Sequence, residues 1–553
     1  MKKITILFIG ILFLTAFGFA QSQRMVLAEE STSSTCGPCA GQNPAFDALL
    51  QANSDIVTAI KYHVWWPAPG NDPMYLHNTV DNAARTNYYS INSVPRAVMQ
   101  GNYYNGQPAG VSQSMLNTLA AIPSPFEIQI QQELSPNEDS IYLTTLIKAT
   151  EDVSGNMVAH VVVVEKYIGF SSPPGTNGEK DFYNVMKKLL PTKSGTSMPS
   201  PMVAGDYIIL QNSWKLENVY DINELAAVAF VQDNTSKDVH QAGNSSEDPL
   251  VPAYNLDVEV LSVSNATSSN CSGSLTPHVT IRNNGGTDIT SLTINYAIND
   301  GEEQSYEWSG NLSFLQTETV ELSEVTFAIA DTNQLVITGI SPNGSDDDYL
   351  PNNTFVFEVI KAPSLTGNSI VFLTLDDHPE ETTWEIKNSM GDVVQSGGPY
   401  ETSGQKFEPI NLSETDCYEF VIYDAGGNGT EYYAVVYGNN QVAFDGSNFG
   451  ELERNEFAIG IVSVDQIEAY TDMSIYPNPV TDKLNISFYM PDQNDVRVVV
   501  SDLVGKTIIN KNEGVLNAGP QQFVLNTSQL TTGIYLVEIS IGSTVYSQKV
   551  SVR

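Results

Sequence analysis

Met25-Val26-Leu27-Ala28-Glu29-Glu30, followed by Thr35-Cys36-Gly37-Pro38-Cys39, is the stretch that decides the fold. Met25 to Ala28 is a short apolar run that reads as a strand. Gly37 and Pro38 suit a strand-to-helix turn, which puts Cys36 at a helix N-terminus. There the unpaired backbone N–H groups and the helix dipole favour a thiolate. Ala45 to Leu50 is apolar at helical spacing, with Pro44 expected to kink the helix. Ile56 to Trp66 reads as a second strand. Further on come Val94-Pro95 and the apolar residues Ala97 to Met99, closed by Gly101. Two cysteines at this spacing can close a small disulfide or bind a metal.

The 553 residues are too many for one ordinary domain. With 25 basic and 64 acidic side chains the net charge is −39. Phosphate binding needs clustered Lys and Arg, so nucleic acid is excluded as a partner, and so is an anionic membrane surface. Only 16% of residues are charged, so much of the surface is Ser, Thr, Asn and Gln. Residues 1–20 read as a secretory signal peptide: Lys2 and Lys3, an apolar core from Ile4 to Phe17, and small residues leading to cleavage after Ala20. No later segment holds 18 apolar residues in a row, so the mature chain is expected to lack a transmembrane segment and to work in an oxidising compartment.

From Phe126 onward the texture is that of β-sandwiches, short alternating runs between Asn, Ser, Gly and Pro. The exception is Phe182 to Leu190, whose spacing predicts a helix ended by Pro191. The expected division is 21–122, 126–245, 254–361, 366–462 and 472–553, with linkers near Asn244–Pro249 and Pro363–Gly367. The expected fold class is therefore multidomain: an N-terminal α/β unit, then several β-sandwich, immunoglobulin-like or jelly-roll-like units. Cys271 and Cys417 fall in different units. They are expected to be two isolated buried thiols, an interdomain bridge being the alternative.

Cys36-Gly37-Pro38-Cys39, Pro44 and Val94-Pro95, in that order, resemble the thioredoxin superfamily. Glu29 to Cys36 is similar to the active-site approach of the outer-membrane-protein-28-like family of Bacteroidetes. That resemblance implies a thioredoxin-like domain at 21–122 and a cis Pro95 facing the cysteines. It also implies a buried acid six residues before the first cysteine, here Glu30, paired with Lys61. Thr35 stands where thioredoxins carry Trp, which removes an aromatic wall beside the thiol. Pro277–Gly286, Leu292–Tyr296 and Leu350–Thr354 look like cell-adhesion-related immunoglobulin-like modules. Tyr476-Pro477-Asn478-Pro479, Asp502–Lys506, Gly533–Val537 and the terminal Gln548–Arg553 resemble the sorting domain of the type IX secretion system. The implied partner is the type IX machinery, and the implied destination is the outer-membrane surface or the extracellular space.

The implied chemistry is thiol–disulfide exchange on disulfide-containing proteins. Cys36 is the more exposed nucleophile, Cys39 the resolving thiol and Glu30 the proton acceptor. Against it stand a permanent structural disulfide and, for Glu29 and Glu30, ordinary strand-end charges. A zinc site lacks a second C-x-x-C or H-x3–5-H pair. His63, His77 and the Trp65–Gly70 loop are expected to pack an insertion. Asp424 to Gly429, with Asp424 and Asn428, could wrap Ca2+, against a plain Gly-rich turn. No cofactor is implied beyond that Ca2+. The rival to the enzyme is a non-catalytic surface adhesin or binding protein that uses the thioredoxin-like domain as a scaffold. Fold alone does not separate the two.

Overall fold

The computed structural model describes residues 22–68, 70–365, 368–412, 414–438, 440–460, 473–490, 493–502, 506–531, 533–542 and 544–553. The expected signal peptide and the cleavage site after Ala20 lie outside these residues, as do Pro69 and residues 503–505 of the Asp502–Lys506 stretch.

The chain opens with β1 (Val26–Thr32), α1 (Gly37–Gln51) and β2 (Val57–His63). Short helices α2 (Pro73–His77) and α3 (Thr79–Tyr88) follow, then β3 (Arg96–Met99), β4 (Tyr104–Gly106) and α4 (Gln113–Ala120). β1 runs parallel to β2 and antiparallel to β3. Every residue of β1 and β2 is buried, because helices cover one side and later strands and α3 cover the other. α1 and α4 pack Phe46, Leu50, Leu116 and Leu119 on Val26, Ala28, Val57, Ala59 and Met99.

Residues 126–245 were expected to be a separate sandwich; the structure corrects this. They supply β5 (Phe126–Leu134), β6 (Ser140–Ala149), β7 (Met157–Gly169), β8 (Asp181–Leu190), β9 (Thr196–Ser197), β10 (Tyr207–Lys215), β11 (Leu225–Asp233) and β12 (Val239–Asn244). Four of them extend the first sheet, whose order is β12-β11-β7-β8-β2-β1-β3-β4, with β9 beside β7. The join is β8 lying parallel to β2 at Lys61 and Val185. One apolar core mixes Leu27, Ile60 and Tyr62 with Val162, Val164, Met186, Val228 and Phe230. The sheet β10-β6-β5 packs on the extension through Ile130, Ile141, Leu143, Val161, Val163 and Leu225. Between the two expected units Ser124 is pinned, its N–H donating to Ser22 O at 2.9 Å.

Phe182–Leu190 is a strand, not the expected helix. Its pairing with β7 slips between Val163, opposite Lys188, and Val164, opposite Met186. Lys187 is therefore the extra residue of a β-bulge. The bulge breaks two-residue alternation and leaves Phe182, Val185, Met186, Leu189 and Leu190 buried at a spacing that imitates a helix.

The rest of the described chain is β-sandwich. Residues 258–361 form two main sheets around Ile281, Leu292, Ile294, Leu335 and Ile337. Residues 364–459 form two more around Trp384, Phe420, Tyr433 and Phe457. A last pair encloses Val480, Ile486, Val498, Val537 and Val550.

Candidate functional site

Cys36 caps the N-terminus of α1 and its Sγ accepts from the Cys39 N–H at 3.1 Å. Pro38 sits in the first turn, where no helical donor is lost. The two cysteines are joined as a disulfide, with Cα atoms 5.2 Å apart. Both are buried, Cys36 at 2% exposure and Cys39 at 0%. Cys36 is expected to be the more exposed of the two; both sulfurs are nearly fully covered, and only Gly37 and Pro38 between them reach solvent. Pro95 follows a cis peptide bond at the start of β3, whose Ala97 lies opposite Glu30. Val94 O lies 3.6 Å from Cys36 Sγ, ready to accept from the thiol once the disulfide is reduced.

Glu30 lies where β1 and β2 place it opposite Lys61, on the face under α1. The Lys61 ammonium is 2.9 Å from Glu30 Oε2 and also pairs with Asp47 of α1. Glu30 Oε1 has no partner. Burial raises the Glu30 carboxyl above its usual range, against the pull of Lys61, and burial does the same to Asp47. Burial works to strip Lys61 of its proton, but its two carboxylates together carry it above the ordinary lysine value.

Asp47, Asn43 and Cys39 lie four residues apart on one face of α1. Asn43 Nδ2 donates to Thr32 Oγ1 at 2.9 Å and to Glu179 Oε1 at 2.8 Å. Glu179 belongs to the connection from β7 to β8, which crosses the cysteine turn as a strap. Asn177 N–H donates to Ser34 O at 3.1 Å, and its Nδ2 donates to Ser33 O at 3.1 Å and Cys36 O at 3.2 Å. A Cβ at Gly175 would collide with the Ser34 backbone. Burial raises the Glu179 carboxyl, opposed by Asn177 and Asn43. Sequence reasoning missed Asn43, Asp47, Asn177 and Glu179. The only signal was helical: Asp47 and Asn43 repeat the Cys39 face at four-residue steps, while nothing local marks the strap.

Beside the turn, Thr35 Oγ1 donates to Pro67 O at 3.4 Å, so the Trp65–Trp66 segment abuts the approach. His63 is fully buried, its Nδ1 2.7 Å from Asp72 Oδ2. Burial pushes the Asp72 carboxyl up, but His63 and the amides of Ser34 and Met74 outweigh it and hold it low.

Elsewhere, Cys271 and Cys417 form a disulfide, which corrects the expectation of two isolated thiols. Thr267–Cys271 and Glu456 bring them together: Cys271 N–H donates to Glu456 Oε2 at 2.8 Å, and Ser269 Oγ donates to Glu456 O at 3.0 Å. Asp424 Oδ2 accepts from the N–H groups of Asn428 at 3.0 Å and Gly429 at 3.1 Å, folding the turn on itself. Among the described residues, Asp424 is not part of a group of three or more His, Cys, Asp or Glu side chains whose ligand atoms converge.

Residues 474–553 match the secretion system C-terminal sorting domain family. That domain is handled by the type IX machinery and takes the chain through the outer membrane to the cell surface or beyond. No curated protein sequence matches the chain. Among solved structures, HBP35 of Porphyromonas gingivalis is 13% identical, with a TM-score of 0.35 over 61% of this chain and 98% of its own. A protein of Agrobacterium tumefaciens is 15% identical, with a TM-score of 0.29 over 42% of this chain and 98% of its own. A CARDB domain of Pyrococcus furiosus, solved in complex with di-metal ions, is 19% identical, with a TM-score of 0.17 over 21% of this chain and 95% of its own. At these scores the likenesses fix neither family nor activity. No helix among the described residues is long and apolar enough to cross a membrane.

Proposed function

We propose that the N-terminal unit of this exported, modular surface protein is thioredoxin-like and exchanges thiols and disulfides through Cys36 and Cys39. The observation that carries this is the meeting of three parts in one place: Cys36 capping α1, Val94-Pro95 beside its sulfur, and Glu30 with Lys61 buried under the same helix. The sheet order β2-β1-β3-β4, with α1 crossing from β1 to β2, supports the same family.

In the oxidised form a client thiolate attacks Cys36 Sγ. The Cys36–Cys39 bond breaks, and Cys39 leaves as a thiolate and takes a proton. A second client thiolate then attacks the client sulfur of the mixed disulfide and releases Cys36. The client loses two electrons and gains a disulfide, and the cysteine pair gains both electrons. In the reverse direction Cys36 thiolate opens a client disulfide and Cys39 resolves it.

The burial of both sulfurs favours a second reading, a scaffold with a structural disulfide in an adhesin or binding protein. Insulin reduction and scrambled-ribonuclease turnover by the mature chain separate the two. Turnover that Cys36→Ser abolishes, with mixed disulfides accumulating in Cys39→Ser, supports exchange. No turnover, with a pair that stays oxidised below roughly −300 mV, gives the disulfide to the scaffold. Calcium at the Asp424–Asn428 turn is a separate proposal, motivated by the acidic composition. A rise in unfolding midpoint with Ca2+ that a chelator reverses supports it, and an unchanged midpoint rejects it.

A further inference from the structure

A chain of titratable groups runs from beneath α1 to a groove on its outer side. Glu30 is its inner end, 1% exposed and with Oε1 unpartnered. Lys61 is the middle, in contact with both carboxylates. Asp47 is the outer end. It lines a groove of about 610 Å³, open to solvent, with Ala40, Pro44, Gln51, Glu179 and Tyr183. The Cys39-Asn43-Asp47 face of α1 lies over this row, because Asn43 is bonded to Thr32 and Asp47 to Lys61.

Two carboxylates on one ammonium leave an excess negative charge where water is excluded. One acid would suffice for a structural pair, and the second makes the cluster a proton acceptor. The other charged or titratable groups facing it are His63 on β2 and Glu179, Lys180 and Asp181 of the strap and the start of β8.

We propose that Glu30, Lys61 and Asp47 form a proton relay for Cys39, with Asp47 as its exit to the groove. This rests on the exchange reading above. When Cys39 resolves a mixed disulfide, its S–H proton passes to the Glu30 carboxylate, and the thiolate attacks Cys36 Sγ and displaces the client sulfur. Glu30 then gives the proton to Lys61 as Lys61 gives one of its own to Asp47, and Asp47 releases it into the groove. The ammonium is unchanged at the end, both acids are again carboxylates, and the relay itself involves no electron transfer. Cys39 is the reacting group, Glu30 its proton acceptor and Asp47 a positioning residue that acts through Lys61.

The test is single-turnover resolution of a mixed disulfide with a Cys-containing peptide, followed against pH in the mature chain. Glu30→Gln is expected to slow resolution roughly 10²-fold, the scale of a lost general base. Asp47→Asn is expected to slow it about tenfold and to shift the pH profile, while Asp47→Glu restores both. Because the two act in series, Glu30→Gln/Asp47→Asn should be no slower than Glu30→Gln alone. Time-resolved infrared difference spectra during resolution should show a transient carboxyl protonation that Asp47→Asn alters in a protein whose circular dichroism is unchanged. A wild-type pH profile and carboxyl spectrum in Asp47→Asn, or additive losses in the double variant, overturn the relay while leaving exchange intact. Absence of turnover in the wild type overturns the exchange reading itself, and the relay with it.

Discussion

Glu29 and Glu30 are neighbours on one strand, equally buried, and point to opposite faces of the same sheet. Glu29 faces α3. It accepts from Arg85 Nε and Nη2, each at 2.9 Å, from Tyr62 OH at 3.0 Å and from Tyr89 OH at 2.5 Å. Arg85 Nη1 continues to Gln232 Oε1 of β11 at 3.0 Å, and Gln232 Nε2 donates to Tyr89 OH at 2.9 Å. That network is closed, it spans both halves of the sheet, and every carboxylate oxygen is satisfied. Glu30 faces α1 with a shared lysine and an oxygen left over. The difference teaches that burial of a charge is not one phenomenon. A saturated acid holds a fold together, whereas an undersupplied acid stores a tendency to take up protons.

The largest expected effect breaks the saturated side. Arg85→Ala leaves Glu29 buried without its cation, which costs about 3–5 kcal/mol for a buried pair. Urea unfolding of the mature chain, read from helical circular dichroism, checks this. The α-helices of the described residues all lie between Gly37 and Ala120, so the signal reports that unit. A loss below about 1 kcal/mol, the scale of a surface pair, would remove the contrast between the two faces.

A third buried acid sharpens the comparison. Asp257 joins the first unit to the next module and is held by neutral donors, Tyr207 OH at 2.6 Å and Asn352 Nδ2 at 2.8 Å. Burial lifts its carboxyl to about 6, with Tyr207 and Asn352 opposing and Asp347 and Glu259 reinforcing. The folded state therefore holds this proton more tightly than the unfolded chain. The stabilisation is complete below the ordinary carboxylate value and fades as pH rises through about 6. It amounts to about 2 kcal/mol between about pH 4 and about pH 7. Asp257→Asn should flatten that slope in unfolding curves of the mature chain. An unchanged slope would show that neutral donors saturate an acid as well as Arg85 does.

How much of this was legible follows from sequence distance. β1, α1 and β2 could be read because apolar runs and a Gly-Pro turn are local signals. Glu30 and Lys61 came from the resemblance, and the structure puts them 2.9 Å apart. Asp47 was available in principle, one more step along the Cys39 face. The strap was not, since Asn177 reaches Cys36 across 141 residues. Nor was the Cys271–Cys417 bridge, which spans 146. β8 was misread because the bulge at Lys187 erases the alternation that marks a strand. The single sheet that fuses 21–122 with 126–245 rests on one short parallel contact of buried strands, which carries no period of its own.

The strap lies over the Cys36 turn on the Glu30 side of the sheet, so loosening it should leave the Glu29 network intact. Asn177→Ala removes donors from the carbonyls of Ser33 and Cys36 and should cost about 1 kcal/mol. Alkylation of reduced Cys36 by iodoacetamide should speed up several-fold, because the sulfur is covered in the closed form. An unchanged rate would mean that something other than the strap buries Cys36.

The smallest expected change in stability is the sharpest test of the contrast. Glu30→Gln removes an acid from the undersupplied cluster and leaves Lys61 with Asp47, one cation to one anion. At neutral pH stability should hold or rise by up to about 1 kcal/mol, since replacing half of an over-charged buried group relieves repulsion. Both Glu30 and Asp47 titrate above their ordinary values in the folded state. Folding therefore favours their protonated forms, and the cluster's contribution is largest at low pH and declines as the acids ionise. Glutamine cannot ionise, so the advantage of Glu30→Gln over the wild type should grow with pH, opposite in sign to the loss from Arg85→Ala, which strips the cation from the neighbouring Glu29. Unfolding midpoints across the carboxylate and neutral range measure it. If Glu30→Gln instead destabilises the unit as Arg85→Ala does, Glu30 is a saturated structural acid like Glu29 and has no proton-accepting role to explain.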